Sequence, residues 1–101
     1  MAEPAPYSVE VYKGFWVALE TQPPSQQGRV TQFMVSHLSV RPRATIPGQS
    51  KRLKATYSHL YQLDCGKDRL LYEVDDDLRT VRIVYLGPHP EWEKRGKKGR
   101  I

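Results

Sequence analysis

The sequence predicts an α+β domain, with an N-terminal strand, a two-helix hairpin and then a three-stranded antiparallel sheet. Three observations carry that expectation. Between residues 15 and 39 apolar side chains recur at three- and four-residue steps, the period of a helix with one buried face. After residue 57 the period switches to two and stays there through three runs. Those runs are joined by residues 66–68 and 76–79. A parallel crossover needs about a dozen residues, so connections this short imply antiparallel neighbours.

Taken in order, Tyr7, Val9 and Val11 alternate with Ser8, Glu10 and Tyr12, which reads as a strand. Gly14 then precedes FWVALETQ, where Phe15, Trp16 and Leu19 fall on one side of a short helix. Pro23 and Pro24 end that helix, because proline lacks an N–H and restricts the residue before it. Pro24 with Ser25 also opens the next one, since proline is tolerated in a first turn. Val30, Phe33, Met34, His37 and Leu38 then define an amphipathic helix over 25–39, with His37 read as a packing residue. Residues 40–50, VRPRATIPGQS, hold two prolines and a glycine and read as a loop.

The three later runs cover 57–65, 69–75 and 80–86. In the second, Leu70, Tyr72 and Val74 face one way and Leu71, Glu73 and Asp75 the other. In the third, Val81, Ile83 and Tyr85 alternate with Arg82, Val84 and Leu86. A strand apolar on both faces belongs inside a sheet. The helices are expected to cover one side, leaving the other for a cleft or a partner. Residues 1–6 read as a disordered start, 7–93 as one domain, and 94–101 as a basic, flexible tail carrying Lys94, Arg95, Lys97, Lys98 and Arg100.

Composition narrows the class. At 39% hydrophobic and 27% charged, the 101-residue chain matches a globular domain rather than a disordered one. No apolar run approaches the roughly 20 residues of a membrane helix. The first residues show no basic start followed by an apolar stretch, so no secretory signal is expected. One cysteine, Cys65, forms neither an internal disulfide nor a thiolate cluster, and it reads as a small packing residue. Together these favour a cytoplasmic protein.

Charge is unevenly placed. Residues 1–40 hold two basic and three acidic side chains, whereas residues 41–101 hold fourteen and eight, a net of +6. Such an excess suits a polyanion or an acidic protein, and also plain solubility. The sequence has no glycine-rich phosphate loop, nucleophile elbow or metal-spaced His/Cys pair, so no cofactor or metal is expected. Asp75, Asp76 and Asp77 lie between two strands and read as a polar turn.

RNA cleavage without a metal needs a base for the 2′-hydroxyl, a cation for the phosphate and an acid for the leaving 5′-oxygen. His89 suits proton transfer, Arg69 the phosphate, and Trp92 stacking on a base, with Lys51, Arg52 and Lys54 nearby. Each also has a structural reading. A histidine among prolines often packs, and a strand arginine often pairs with a carboxylate such as Asp64 or Asp68.

The stretch from Leu53 to Trp92 resembles the C-terminal half of the RelE/ParE superfamily of bacterial toxins. The matching elements are Leu53-Lys54, Leu60-Tyr61, Gly66, Arg69, the run Leu70-Leu71-Tyr72-Glu73-Val74-Asp75-Asp76, and Leu86-Gly87 before His89. With the N-terminal elements matching in order, the resemblance spans residues 7–93 and implies a RelE-like fold. It implies a toxin of a type II toxin–antitoxin pair that enters the aminoacyl site of the ribosome and cuts mRNA there. The implied partners are a cognate antitoxin, the ribosome and mRNA.

By position Arg69 matches the family arginine that stabilises the phosphate, His89 lies near a residue that assists proton transfer, and Trp92 lies near the C-terminal aromatic. Lys51, Arg52, Lys54, Lys67 and Trp92 are the implied RNA-binding set. The family's basic residues before its glycine are here Gln62 and Asp64. ParE branches share the fold but poison gyrase, so inhibition of a protein target without catalysis is the alternative.

Overall fold

A computed structural model describes residues 6–88 of the chain. Residues 1–5 and 89–101 lie outside the described residues, and with them the expected disordered start (all but Pro6), the basic tail, His89 and Trp92.

Five strands form one sheet. They are β1 (Ser8–Val11), β2 (Ser50–Arg52), β3 (Leu60–Cys65), β4 (Asp68–Asp75) and β5 (Thr80–Gly87), in the order β1-β5-β4-β3-β2. The expected antiparallel trio β3, β4 and β5 forms its centre. β1 adds to it parallel to β5, and β2 adds antiparallel to β3. β2 falls where the sequence reads as loop running into basic residues. Its three residues, Ser, Lys and Arg, carry no apolar alternation to announce a strand.

Two helices, α1 (Phe15–Glu20) and α2 (Pro24–Phe33), form the hairpin. α2 runs on into a wider π turn, Met34–Leu38. The 25–39 reading therefore holds in extent, and the wider turn brings Leu38 to full burial five residues after Phe33. His37 stacks on Phe33 at 4.5 Å between ring centroids, and its Nε2 is 2.8 Å from the Ala44 carbonyl, which is a packing role.

The helices cover one face of the sheet. Phe15, Leu19, Val30, Phe33 and Leu38 meet Tyr61, Leu63, Cys65, Leu70, Tyr72, Val81, Ile83 and Leu86 in one core. Tyr72 lies at its centre, stacked on Tyr61 at 5.4 Å and edge-on to Phe33 at 5.9 Å. Full burial of such side chains stabilises by roughly 1.5–3 kcal/mol each. Trp16, expected on the buried side, is instead 56% exposed. In a six-residue helix Phe15 and Leu19, four apart, define the buried stripe, and Trp16 is turned about 100° from Phe15.

The turns explain the register. Cys65 pairs with Asp68, so Gly66-Lys67 is a two-residue hairpin turn. Its first residue, Gly66, has φ +66°, the left-handed conformation this tight turn requires there. Asp75 pairs with Thr80 across residues 76–79, where Asp75 Oδ1 accepts the Leu78 N–H at 3.0 Å. The aspartate triplet therefore builds a turn. β3 begins at Leu60 rather than at 57, because Ala55–Tyr57 form a 3-10 turn.

One irregularity changes which residues face the core. β4 pairs Leu71 with Tyr85 but Tyr72 with Ile83, so Val84 is an extra residue in β5. After this bulge Leu86, not Tyr85, joins Val81 and Ile83 in the core. The strict alternation read from the sequence breaks at this point.

Candidate functional site

Cross-strand partners share a face, so the register places every side chain on the sheet's second face, the one without helices among the described residues. One row across it is Lys51, Gln62, Leu71 and Tyr85. The next, toward the β3–β4 hairpin, is Asp64, Arg69 and Gly87. In the other direction lie Leu60, Glu73, Arg82 and Glu10, then Asp75, Thr80 and Ser8.

Arg69 is the second residue of β4, held by the hairpin just before it. Its Nε lies 3.3 Å from Asp64 Oδ1, and its Nη1 donates to the Asp68 carbonyl at 3.2 Å. The carboxylate partner expected on structural grounds is thus present. The arginine side chain is 18% exposed and Asp64 48%. Ion pairs at such surfaces contribute about 0–1 kcal/mol, whereas a hydrogen bond to a charged group contributes about 1.5–3 kcal/mol.

A hydrogen bond ends on the same carboxylate oxygen: Gln62 Nε2 donates to Asp64 Oδ1 at 3.0 Å. Gln62, Asp64 and Arg69 form a connected chain of polar groups. The sequence marks Gln62 and Asp64 as departures from the family pattern, and offers Asp64 and Asp68 alike as carboxylate partners of Arg69. Only the strand register brings Asp64 opposite Arg69.

The other candidate residues are divided by the sheet. Lys51 shares the face of Arg69, as register partner of Gln62. Arg52 points to the helix side, where its guanidinium lies 5.7 Å from the Tyr61 ring and its Nε donates to the Ser58 carbonyl at 2.7 Å. Lys54 follows β2 at the end of the sheet away from Arg69, and exposed Lys67 lies in the hairpin turn beside it. The described chain stops at Pro88, one residue past Gly87, the register partner of Arg69. At Gly87 a β-carbon would lie 2.9 Å from the Tyr85 hydroxyl, which in turn donates to the Pro88 carbonyl at 2.5 Å. Glycine at 87 lets the Tyr85 ring lie across the strand end.

Away from Arg69, carboxylates dominate. Arg82 is 3.4 Å from Glu10, 3.6 Å from Glu73 and 3.9 Å from Asp75. Beside the β4–β5 turn a polar groove of about 450 Å³ is lined by Arg43, His59, Glu73, Asp75, Asp76, Asp77 and Arg82. Arg43 grips Asp76 at 2.7 Å and Tyr7 donates to it at 2.6 Å. These bonds hold the Asp76 carboxyl below its usual pKa, the Arg43 bond first. Nothing in the local sequence pattern around His59 marks it for a role.

Cys65 is buried, and burial pushes its thiol up to about 11, which suits packing rather than nucleophilic work. Among the described residues no group of three or more His, Cys, Asp or Glu side chains could hold a metal ion. No described helix is long and apolar enough to cross a membrane.

No protein-family model matches the chain, and no curated protein matches it. Solved structures do. A chain of the RelBE2 toxin–antitoxin complex from Mycobacterium tuberculosis is 27% identical, with a TM-score of 0.65, covering 83% of this chain and 99% of that one. The archaeal RelE–RelB complex from Pyrococcus horikoshii is similar at 24% identity and TM-score 0.69, covering 84% and 97%. The YoeB–YefM complex from Staphylococcus aureus has 16% identity and a TM-score of 0.63, covering 83% and 98%. With its strand order, its helical hairpin and these neighbours, the chain has the RelE-like toxin fold.

Proposed function

We propose that the chain is the toxin of a toxin–antitoxin pair and cuts mRNA on the ribosome without a metal. The observation that supports this reading is that Arg69 and Lys51 share the face without helices in a RelE-like fold. In the reaction the 2′-hydroxyl gives its proton to water, its oxygen forms a bond to the neighbouring phosphorus, and the bond to the 5′-oxygen breaks. Arg69 balances the charge that grows on the phosphate, and Lys51 adds a second cation along the strand. His89, in the role the resemblance implies, serves proton transfer to the leaving oxygen. The antitoxin is a protein that covers this chain, as the paired complexes among its neighbours suggest.

A second reading, inhibition of a protein target such as gyrase, is favoured by one observation. The same face carries Lys51, Arg69 and Arg82 against Glu10, Asp64, Glu73 and Asp75. A face with more carboxylates than cations suits a protein better than a polyanion. Inducing the chain in cells and mapping message ends separates the two. Cuts inside translated messages are expected; intact messages with failing DNA supercoiling would establish the second reading instead.

A further inference from the structure

Arg69 lies on the central strand of the sheet, so its side chain has a cross-strand neighbour on either side. Toward β3 the register partner is Asp64, whose carboxylate lies 3.3 Å from Nε. Toward β5 it is Gly87, which has no side chain. Opposed residues in antiparallel strands have β-carbons about 4.5–5.5 Å apart, so a bare glycine would leave that flank of the arginine open. Tyr85 closes it. A β-carbon built on Gly87 would meet the Tyr85 hydroxyl at 2.9 Å, Cζ at 3.2 Å and Cε2 at 3.6 Å. The phenol therefore fills the space that a side chain at 87 would take up opposite Arg69. Two features put it there. The extra residue Val84 turns Tyr85 out of the core and onto the face of Arg69. The Tyr85 hydroxyl then donates to the Pro88 carbonyl at 2.5 Å, which pins the half-buried ring along the end of β5.

Building on the ribonuclease reading above, we propose that Tyr85 is a positioning residue whose ring walls Arg69 on the β5 side, opposite Asp64, and keeps the guanidinium aimed at the phosphate. Arginine is long and flexible, and a cation serves a transition state best when it is already confined before the charge develops. Asp64 and the Asp68 carbonyl hold the guanidinium through directed bonds. The phenol adds a flat barrier on the remaining side, where the strand itself supplies only a glycine. Tyr85 touches no reacting atom and acts through Arg69. Gly87 is the second half of the device, because any larger residue there would push the ring aside.

The test is message cleavage by the full chain on programmed ribosomes, with kcat and KM read separately. Tyr85→Leu should lower kcat about tenfold and leave KM unchanged, the pattern of a group that matters only in the transition state. Tyr85→Phe keeps the ring and should restore kcat to within about twofold of wild type. Gly87→Ala provides a second route should Tyr85→Leu fold poorly. Gly87 does not have a positive φ, so alanine there conflicts with the movable ring alone and should lower kcat with Tyr85 still present. In an Arg69→Ala background Tyr85→Leu should cost nothing further, because its effect passes through the arginine. NMR relaxation of the Arg69 Nε–H bond reads the same claim without cleavage, and the bond should become more mobile in both Tyr85→Leu and Gly87→Ala. A raised KM with kcat intact would make Tyr85 a contact of the message and overturn the proposal. So would a further loss in the Arg69→Ala background, or an Arg69 whose mobility does not change. Messages left intact by the wild-type chain would overturn the ribonuclease reading itself, while the relaxation measurement still decides whether the ring confines Arg69.

Discussion

Arg69 and Leu70 are adjacent in the chain and lie on opposite faces of one strand. Leu70 is fully buried under the helices, among Phe15, Val30, Phe33 and Tyr72. Arg69 points to the face without helices, tied to Asp64 and the Asp68 carbonyl. On the helix side the side chains are apolar and interlocked; on the other they are mostly polar or charged, and joined by hydrogen bonds and ion pairs. The difference teaches that alternation along β4 separates what holds the fold together from what meets a partner.

The largest expected effect tests the helix side. Leu70→Ala should cost about 2–5 kcal/mol of stability, because it opens a cavity in the centre of the core. Chemical denaturation checks this, and a loss under about 1 kcal/mol would mean the core is less tightly built than described. A smaller effect of opposite sign is expected at Tyr72. Its hydroxyl is buried without a hydrogen-bond partner, and burial raises its pKa above the ordinary tyrosine value. Tyr72→Phe should therefore leave stability unchanged or raise it by about 1 kcal/mol, a gain of some 4–8 °C in Tm for a domain of this size. A clear fall in Tm would reveal a partner for that hydroxyl.

The smallest effect concerns pH. Arg43 first, then Tyr7, hold the Asp76 carboxyl below its unfolded value. That contribution is present above the ordinary carboxylate pKa of about 3.9 and is lost as pH falls through the lower, folded value. Asp76→Asn should flatten the acid end of a plot of Tm against pH while leaving the neutral region little changed. An unaltered acid limb would show that these exposed contacts do not stabilise the fold.

Much of this architecture is legible in the sequence, for reasons visible residue by residue. In β4 the alternation of Leu70, Tyr72 and Val74 with Leu71, Glu73 and Asp75 assigns both faces correctly. In β5 the same rule fails after Ile83, because Val84 and Tyr85 fit either face and nothing in their order announces a bulge. β2 is three residues long and polar, so no period exists to detect. At the site, Arg69 stands out through its surrounding motif. Its tie to Asp64, and the tie of Asp64 to Gln62, depend on which residue of β3 lies opposite which residue of β4. Register of that kind is set by the two-residue turn at Gly66-Lys67. Sequence alone bounded that turn as 66–68, one residue too long to fix the pairing.

The division of labour between the faces is tested most directly by Arg69→Ala, with message cleavage and thermal stability measured on the same preparation. Losing one donor that acts on the transition state should remove roughly 2–4 kcal/mol and slow cleavage about a hundredfold or more. Losing this partly exposed ion pair should cost only about 1 kcal/mol, so the Tm should move by no more than about 8 °C. A steep fall in Tm with cleavage intact would contradict the account, making Arg69 a brace for the hairpin and moving the chemistry elsewhere.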